Sequence, residues 1–158
     1  MLKNIFLCFL CLFLSSCAIK NKTQSQSVFV VLKNSQIKFN DYGFLYQGKN
    51  DINLELYNAS KALFTLKIAD NICINGVCYT KKLFNKKFFN YEYYDDFLKD
   101  LILQKAIFNN KNKITNSCGF IQELKSKDYE IFYEVCDGKM SFSEKKSNIK
   151  FSITRIKN

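Results

Sequence analysis

Two stretches of this chain, Ile52-Asn53-Leu54-Glu55-Leu56 and Ile149-Lys150-Phe151-Ser152-Ile153-Thr154, exchange apolar and polar residues at every step. An extended strand turns successive side chains to opposite faces, so it sorts such a sequence into one dry side and one wet side. The same reading extends to Val28–Leu32, Gln36–Asn40, Gly43–Tyr46, Ile52–Tyr57, Ala62–Ile68, a hairpin around Gly76, Gly119–Lys125, Tyr129–Val135, Lys139–Ser143 and Ile149–Ile156. Short strands in this succession predict a mainly β chain of the α+β kind: a curved antiparallel sheet or half-barrel with one covering helix.

The helix is expected at Tyr91–Phe108, where Tyr94, Phe97, Leu98, Leu101, Ile102 and Phe108 recur at helical spacing. Asn90 offers an N-cap, Asp95 and Asp96 suit the positive end of the helix dipole, and Lys105 suits the negative end. Such a helix either closes the core over the concave side of the sheet or forms a lid above an apolar cavity. Just before it, Lys81-Lys82-Leu83-Phe84-Asn85-Lys86-Lys87-Phe88-Phe89 interleaves cations with aromatics. This segment reads either as an irregular crossing with buried aromatics or as a surface that rests on lipid.

The amino-terminal end carries a single cation, Lys3, then an apolar run from Ile5 to Leu14, then Ser15-Ser16-Cys17. The run falls short of the roughly 20 residues that span a bilayer core as a helix. Its proportions are those of a secretory signal with small residues before the cut. Leu14-Ser15-Ser16-Cys17 resembles the lipobox of bacterial lipoproteins. The resemblance implies that residues 1–16 are a signal peptide removed during export and that Cys17, newly terminal, carries the lipid that anchors the protein in the cell envelope. Ala18 after it fits sorting to the outer membrane, facing the periplasm. An ordinary signal peptide, or a short uncleaved anchor, is the competing reading. Residues 17–27 then form the lipid anchor and a flexible tether, since Lys20–Ser27 has no apolar side chain. Residues 28–158 are a single β-rich periplasmic domain by length.

Of seven cysteines, Cys8 and Cys11 leave with the signal and Cys17 carries lipid. Cys73, Cys78, Cys118 and Cys136 remain, an even number in an oxidising compartment, which favours disulfides over a metal site. Asn75-Gly76 at the centre of Cys73–Cys78 is a strong hairpin signal that sets the two cysteines opposite each other. Cys118 would pair with Cys136 by elimination, across a second hairpin. There a two-residue loop puts Phe120, Gln122 and Leu124 opposite Tyr133, Ile131 and Tyr129 but leaves the cysteines one step apart. A three-residue loop levels the cysteines and mixes the faces, unless a bulge reconciles the two.

The chain has no histidine, so neither a Ser-His-Asp triad nor a His-bearing zinc site can be assembled. Adjacent Asp95 and Asp96 point in different directions on a helix, and no catalytic constellation is visible. The expectation is a protein that is not an enzyme and uses no cofactor or metal. Its formal charge of +10 falls by one when Lys3 is removed. Outside the cytoplasm that charge favours anionic lipid or acidic partners over nucleic acid, and a Lys- and Asn-rich composition explains much of it equally well.

A lipidated cysteine, a polar tether, antiparallel strands, a central helical segment and closing strands through Ile149–Ile156 together resemble the outer-membrane lipoprotein receptor LolB and its soluble relative LolA. The resemblance implies an open curved sheet capped by helices over a hydrophobic cavity. It also implies that acyl chains or other lipoproteins are carried there, with the cavity lined by residues such as Phe44, Leu54, Leu56, Phe64, Leu66, Phe97 and Leu101. The family's exposed apolar loop would fall near Tyr57-Asn58-Ala59-Ser60-Lys61, which projects no leucine. The alternative is a solid interaction or assembly module that braces envelope proteins without a ligand cavity.

Overall fold

The computed structural model describes residues 24–35, 38–59 and 61–157. The signal, Cys17 and the start of the tether lie outside them. The strands are β1 (Gln24–Lys33), β2 (Lys38–Gln47), β3 (Ile52–Asn58), β4 (Lys61–Ile68), β5 (Asn71–Ile74) and β6 (Val77–Thr80). Helices α1 (Lys81–Phe89) and α2 (Phe97–Ile102) follow, then a 3-10 turn at Phe108–Asn110. The chain closes with β7 (Lys113–Thr115), β8 (Gly119–Lys125), β9 (Glu130–Cys136), β10 (Lys139–Glu144) and β11 (Ile149–Arg155).

All eleven strands belong to one sheet in the order β6-β5-β4-β3-β2-β1-β11-β10-β9-β8-β7. Strands consecutive in sequence are therefore neighbours in space except for β6 and β7, which lie at opposite edges. After β6 the chain crosses back through the helical segment to the far edge, and β11 returns to pair antiparallel with β1. The sheet is mainly β in the manner expected, antiparallel and not closed into a barrel. Among the described residues the helices cover one face, which we call the inner face.

Alternation places the core. Val28 and Val30 of β1, Leu54 and Leu56 of β3, and Phe151 and Ile153 of β11 are buried on the inner face. They join Phe97, Leu101 and Ile102 in one cluster. At about 25 cal/mol per Å² of apolar surface removed from water, this cluster is the main source of stability. Among the described residues no helix is long and apolar enough to cross a membrane.

Several local expectations change. The strand read at Val28–Leu32 reaches back to Gln24, so Gln24–Ser27, expected as tether, pair with Gln47–Phe44 of β2. Gln36–Asn40 and Gly43–Tyr46, read as separate strands, belong to one strand from Lys38 onward. Gly43 sits inside it because a Cβ there would stand 2.0 Å from the Glu55 carbonyl oxygen. That close approach, not a break, requires the glycine.

The largest correction concerns the covering helix. Helix forms at Lys81–Phe89, the segment read either as an irregular crossing or as a surface resting on lipid, and Tyr91–Phe108 is helical only at Phe97–Ile102 with a 3-10 turn at its end. Asn90, expected as an N-cap, is instead the left-handed C-cap of α1 (φ 58°). Thr80 provides the N-cap, its hydroxyl accepting the Leu83 N–H at 3.4 Å. Beyond α2, Gln104, Phe108, Asn109, Asn110 and Asn112 all take positive φ, which stops helical propagation.

Both hairpins carry disulfides. Cys73 faces Cys78 in register with a Cα separation of 3.9 Å, and Asn75 and Gly76 (φ 48° and 84°) make the tight turn. In the second hairpin the loop has neither two nor three residues. Ser126–Tyr129 connects the strands, with Lys125 opposite Glu130, Leu124 opposite Ile131 and Phe120 opposite Val135. That register lies two steps from the two-residue-loop alignment, and a shift of two keeps every side chain on its face. Cys118, just before β8, then reaches Cys136 across the end of the ladder, Cα to Cα 4.8 Å. No bulge is needed. Replacing both Cys118 and Cys136 by Ser is expected to lower stability by about 3 kcal/mol, and the Cys73/Cys78 pair by about 2 kcal/mol, because the closed loops differ in length. Urea unfolding of the two double variants under oxidising conditions checks the order.

Candidate functional site

Helix α1 turns a face of Phe84, Phe88 and Phe89 toward the sheet. Phe84 and Phe88 are one helical turn apart and their rings stack at 4.3 Å. Under this face lies a cavity of about 40 Å³. Its floor is the inner side of β1 to β5 and β11, including Val30, Leu32, Phe39, Leu54, Phe64, Leu66, Ile74, Ile149 and Phe151. Leu98 of α2 joins the three α1 phenylalanines above, and Asn34 is the one polar residue in the lining. The Asn34 amide nitrogen donates to the Phe88 carbonyl at 3.4 Å.

The residues expected to line a cavity divide into three groups. Leu54, Phe64 and Leu66 do line it. Leu56, Phe97 and Leu101 are fully buried but packed elsewhere in the core. Phe44 is on the opposite face of the sheet and 43% exposed, because its parity in β2 is that of Tyr42 and Tyr46. Reading Gly43–Tyr46 alone gave no phase for the strand. The α1 phenylalanines were missed, although the four-residue step from Phe84 to Phe88 signals one helical face.

The covering segment is fastened unevenly. Its later part is pinned to the sheet by polar contacts. Fully buried Gln122 accepts the Ile107 N–H at 2.8 Å and donates to the Ile107 and Lys111 carbonyls at 2.9 and 2.7 Å. Gln104 donates to the Gly138 carbonyl, and the Tyr133 hydroxyl to the Lys105 carbonyl, each at 2.9 Å. Helix α1 is fastened mainly to the chain that follows it. Asn85 donates to the Tyr93 and Tyr94 carbonyls, and Lys81 bonds Asp96 at 2.9 Å, which holds that carboxyl below its ordinary pKa. Toward the sheet its polar links are long ones: the Lys87 ammonium to the Tyr79 hydroxyl of β6 at 3.3 Å, the 3.4 Å bond from Asn34, and a 3.5 Å bond from the Ser147 hydroxyl to the Phe89 carbonyl. Apart from the Lys87 ammonium over the Tyr79 ring, the remaining attachment is apolar contact, which is non-directional and tolerates sliding.

The cavity has room for a few water-sized molecules, and its apolar walls would keep it dry. An acyl chain would need α1 to move outward. Neither a protein-family model nor a curated sequence matches the chain. Among the described residues, one group has metal-ligand spacing, Cys118, Cys136 and Asp137, and its two sulfurs are joined to each other.

Proposed function

We propose that the protein is a lipid-anchored envelope lipoprotein whose domain receives acyl chains beneath helix α1. The observation that carries this reading is the apolar cavity under a helix held to the sheet by apolar contact and a few long polar bonds, beside a segment locked by the short hydrogen bonds of Gln122. Burying each methylene of a chain yields about 0.8 kcal/mol. A chain of ordinary length would therefore offset the loss of the Phe84, Phe88 and Phe89 contacts when α1 and Tyr91–Asp96 swing out together. Anchoring at Cys17, export through residues 1–16 and the likeness to the LolA and LolB carriers belong to the same proposal. The small volume of the cavity favours a second reading, a packed module that braces other envelope proteins.

Mass spectrometry of protein isolated from its own membranes separates these. Under denaturing conditions a mature chain starting at Cys17 with a covalent lipid mass is expected. Under native conditions an additional, non-covalent acyl ligand is expected, and Leu66→Trp, which fills the cavity, should abolish it. A ligand-free native spectrum would defeat the carrier reading and leave the brace.

A further inference from the structure

We propose that the outer face of the sheet's four central strands, β2, β1, β11 and β10, lies flat on a bilayer containing anionic phospholipid. Three observations point there. The first is a row of like charges. Lys38 is in register with Lys33, and Lys33 with Lys150, so three lysines stand on adjacent strands about 4.8 Å apart. All three are exposed. Like charges directly opposite one another destabilise a sheet, and on the outer face of these four strands no carboxylate offsets them; the carboxylates on the flanking strands are Glu55 of β3, opposite Phe44 and bonded by the Tyr57 hydroxyl, and Glu134 of β9, opposite Ser141. Lys139 of β10 adds a fourth cation, and the remaining outer positions of β11 and β10 carry the hydroxyls of Ser152, Thr154, Ser141 and Ser143.

The second observation is an aromatic strip beside the lysines. Phe29 and Tyr42 meet at 4.8 Å, Phe44 and Tyr57 at 6.0 Å, with Tyr42 65% and Phe44 43% exposed. Tyrosine and phenylalanine beside lysine is the mixture that the headgroup region of a membrane accepts, the rings settling at the boundary and the ammonium groups among phosphates.

The third is reach, and it rests on the Cys17 anchor proposed above. Seven residues from Cys17 to Gln24 span at most about 25 Å. Strand β1, ten residues long, extends roughly 30 Å from Gln24 to the lysine row. A domain standing upright on its lysine end would hold Gln24 beyond the reach of the tether. Lying on the outer face brings Gln24, the aromatic strip and the lysines to the surface together and leaves α1 facing water.

The chain has no tryptophan, so one introduced indole reports its own surroundings. Full-length Phe44→Trp on vesicles of phosphatidylcholine with a third phosphatidylglycerol is expected to shift its emission to the blue and to be shielded from an aqueous quencher. On phosphatidylcholine alone it should do neither. Leu83→Trp, on the exposed side of α1, should stay at its aqueous wavelength on both. Adding Lys33→Gln, Lys38→Gln and Lys150→Gln should lower the docked-to-undocked ratio roughly a hundredfold, and high salt should act in the same direction. The triple variant's unfolding midpoint, expected unchanged or raised, excludes misfolding as the cause. A shift of Leu83→Trp in place of Phe44→Trp, or an equal shift of Phe44→Trp on both vesicles, would overturn the proposal. So would a Phe44→Trp signal that moves only when an acidic protein is added. An acyl ligand in the native mass spectrum with no Phe44→Trp shift would sink this docking face and leave the carrier reading intact.

Discussion

Phe97→Ala is expected to lower the unfolding free energy by about 4 kcal/mol, the upper part of the range for emptying a buried phenylalanine site. Phe97 is fully buried at the centre of an aromatic cluster. Its ring stacks on Tyr93 at 4.0 Å and meets Phe89, Phe142 and Tyr94 edge-on at 5.3, 5.7 and 5.7 Å. Deleting it removes contacts from the helical segment and from β10 at once, and the neighbouring rings cannot collapse into the space without breaking their own pairs. Phe44→Ala removes the same atoms from an exposed site and should cost about 0.5 kcal/mol or less. Urea unfolding midpoints of the two variants test the assignment of faces directly: equal losses would mean that β2 is out of phase with this description.

Acid should weaken the fold through a buried carboxylate. Glu144 is 1% exposed. Burial pushes its pKa up, yet its oxygens accept the Glu130, Lys146 and Ser147 N–H groups at 2.9, 3.0 and 2.6 Å, and together these hold it below the ordinary value of 4.5. A folded pKa below the unfolded one contributes stability that is complete above about pH 5 and is lost as the pH falls through the folded value. Glu130 and Asp96, lowered by Lys145 and Lys81 respectively, act in the same sense from the surface. Glu144→Ala strands the three amides and should cost about 3 kcal/mol near neutrality. Its midpoint should also depend less on pH below 5 than that of the unaltered protein. An unchanged acid slope would show that Glu144 does not carry this titration.

Much of the strand content was readable because one wet and one dry face impose a period of two. Ile52–Tyr57, Ala62–Ile68 and Ile149–Ile156 fall where expected to within a residue or so. The second hairpin shows what such a pattern leaves open. Faces were assigned correctly for Phe120, Gln122, Leu124, Ile131 and Tyr133, but pairing slipped by two, because slips of two preserve every face. The helical segment was harder. Lys81–Phe89 and Tyr91–Phe108 both mix aromatics with polar residues, and the helix settled where three phenylalanines could meet the sheet. Tyr91–Asp96 was left to receive the Asn85 amide and the Lys81 ammonium. Part of the cavity was legible in Leu54, Phe64 and Leu66, and its roof was not.

The sequence by itself determined that this chain makes an antiparallel sheet with one buried face and a hairpin stapled between Cys73 and Cys78. Alternation and the Asn75-Gly76 turn act between near neighbours and need no distant partner. Tertiary structure alone decided that β11 pairs with β1, that α1 roofs the cavity and that Lys38, Lys33 and Lys150 stand in one row. Those outcomes join residues far apart in the chain, more than a hundred positions for β1 and β11, and their energies exist only once the whole sheet has brought them together.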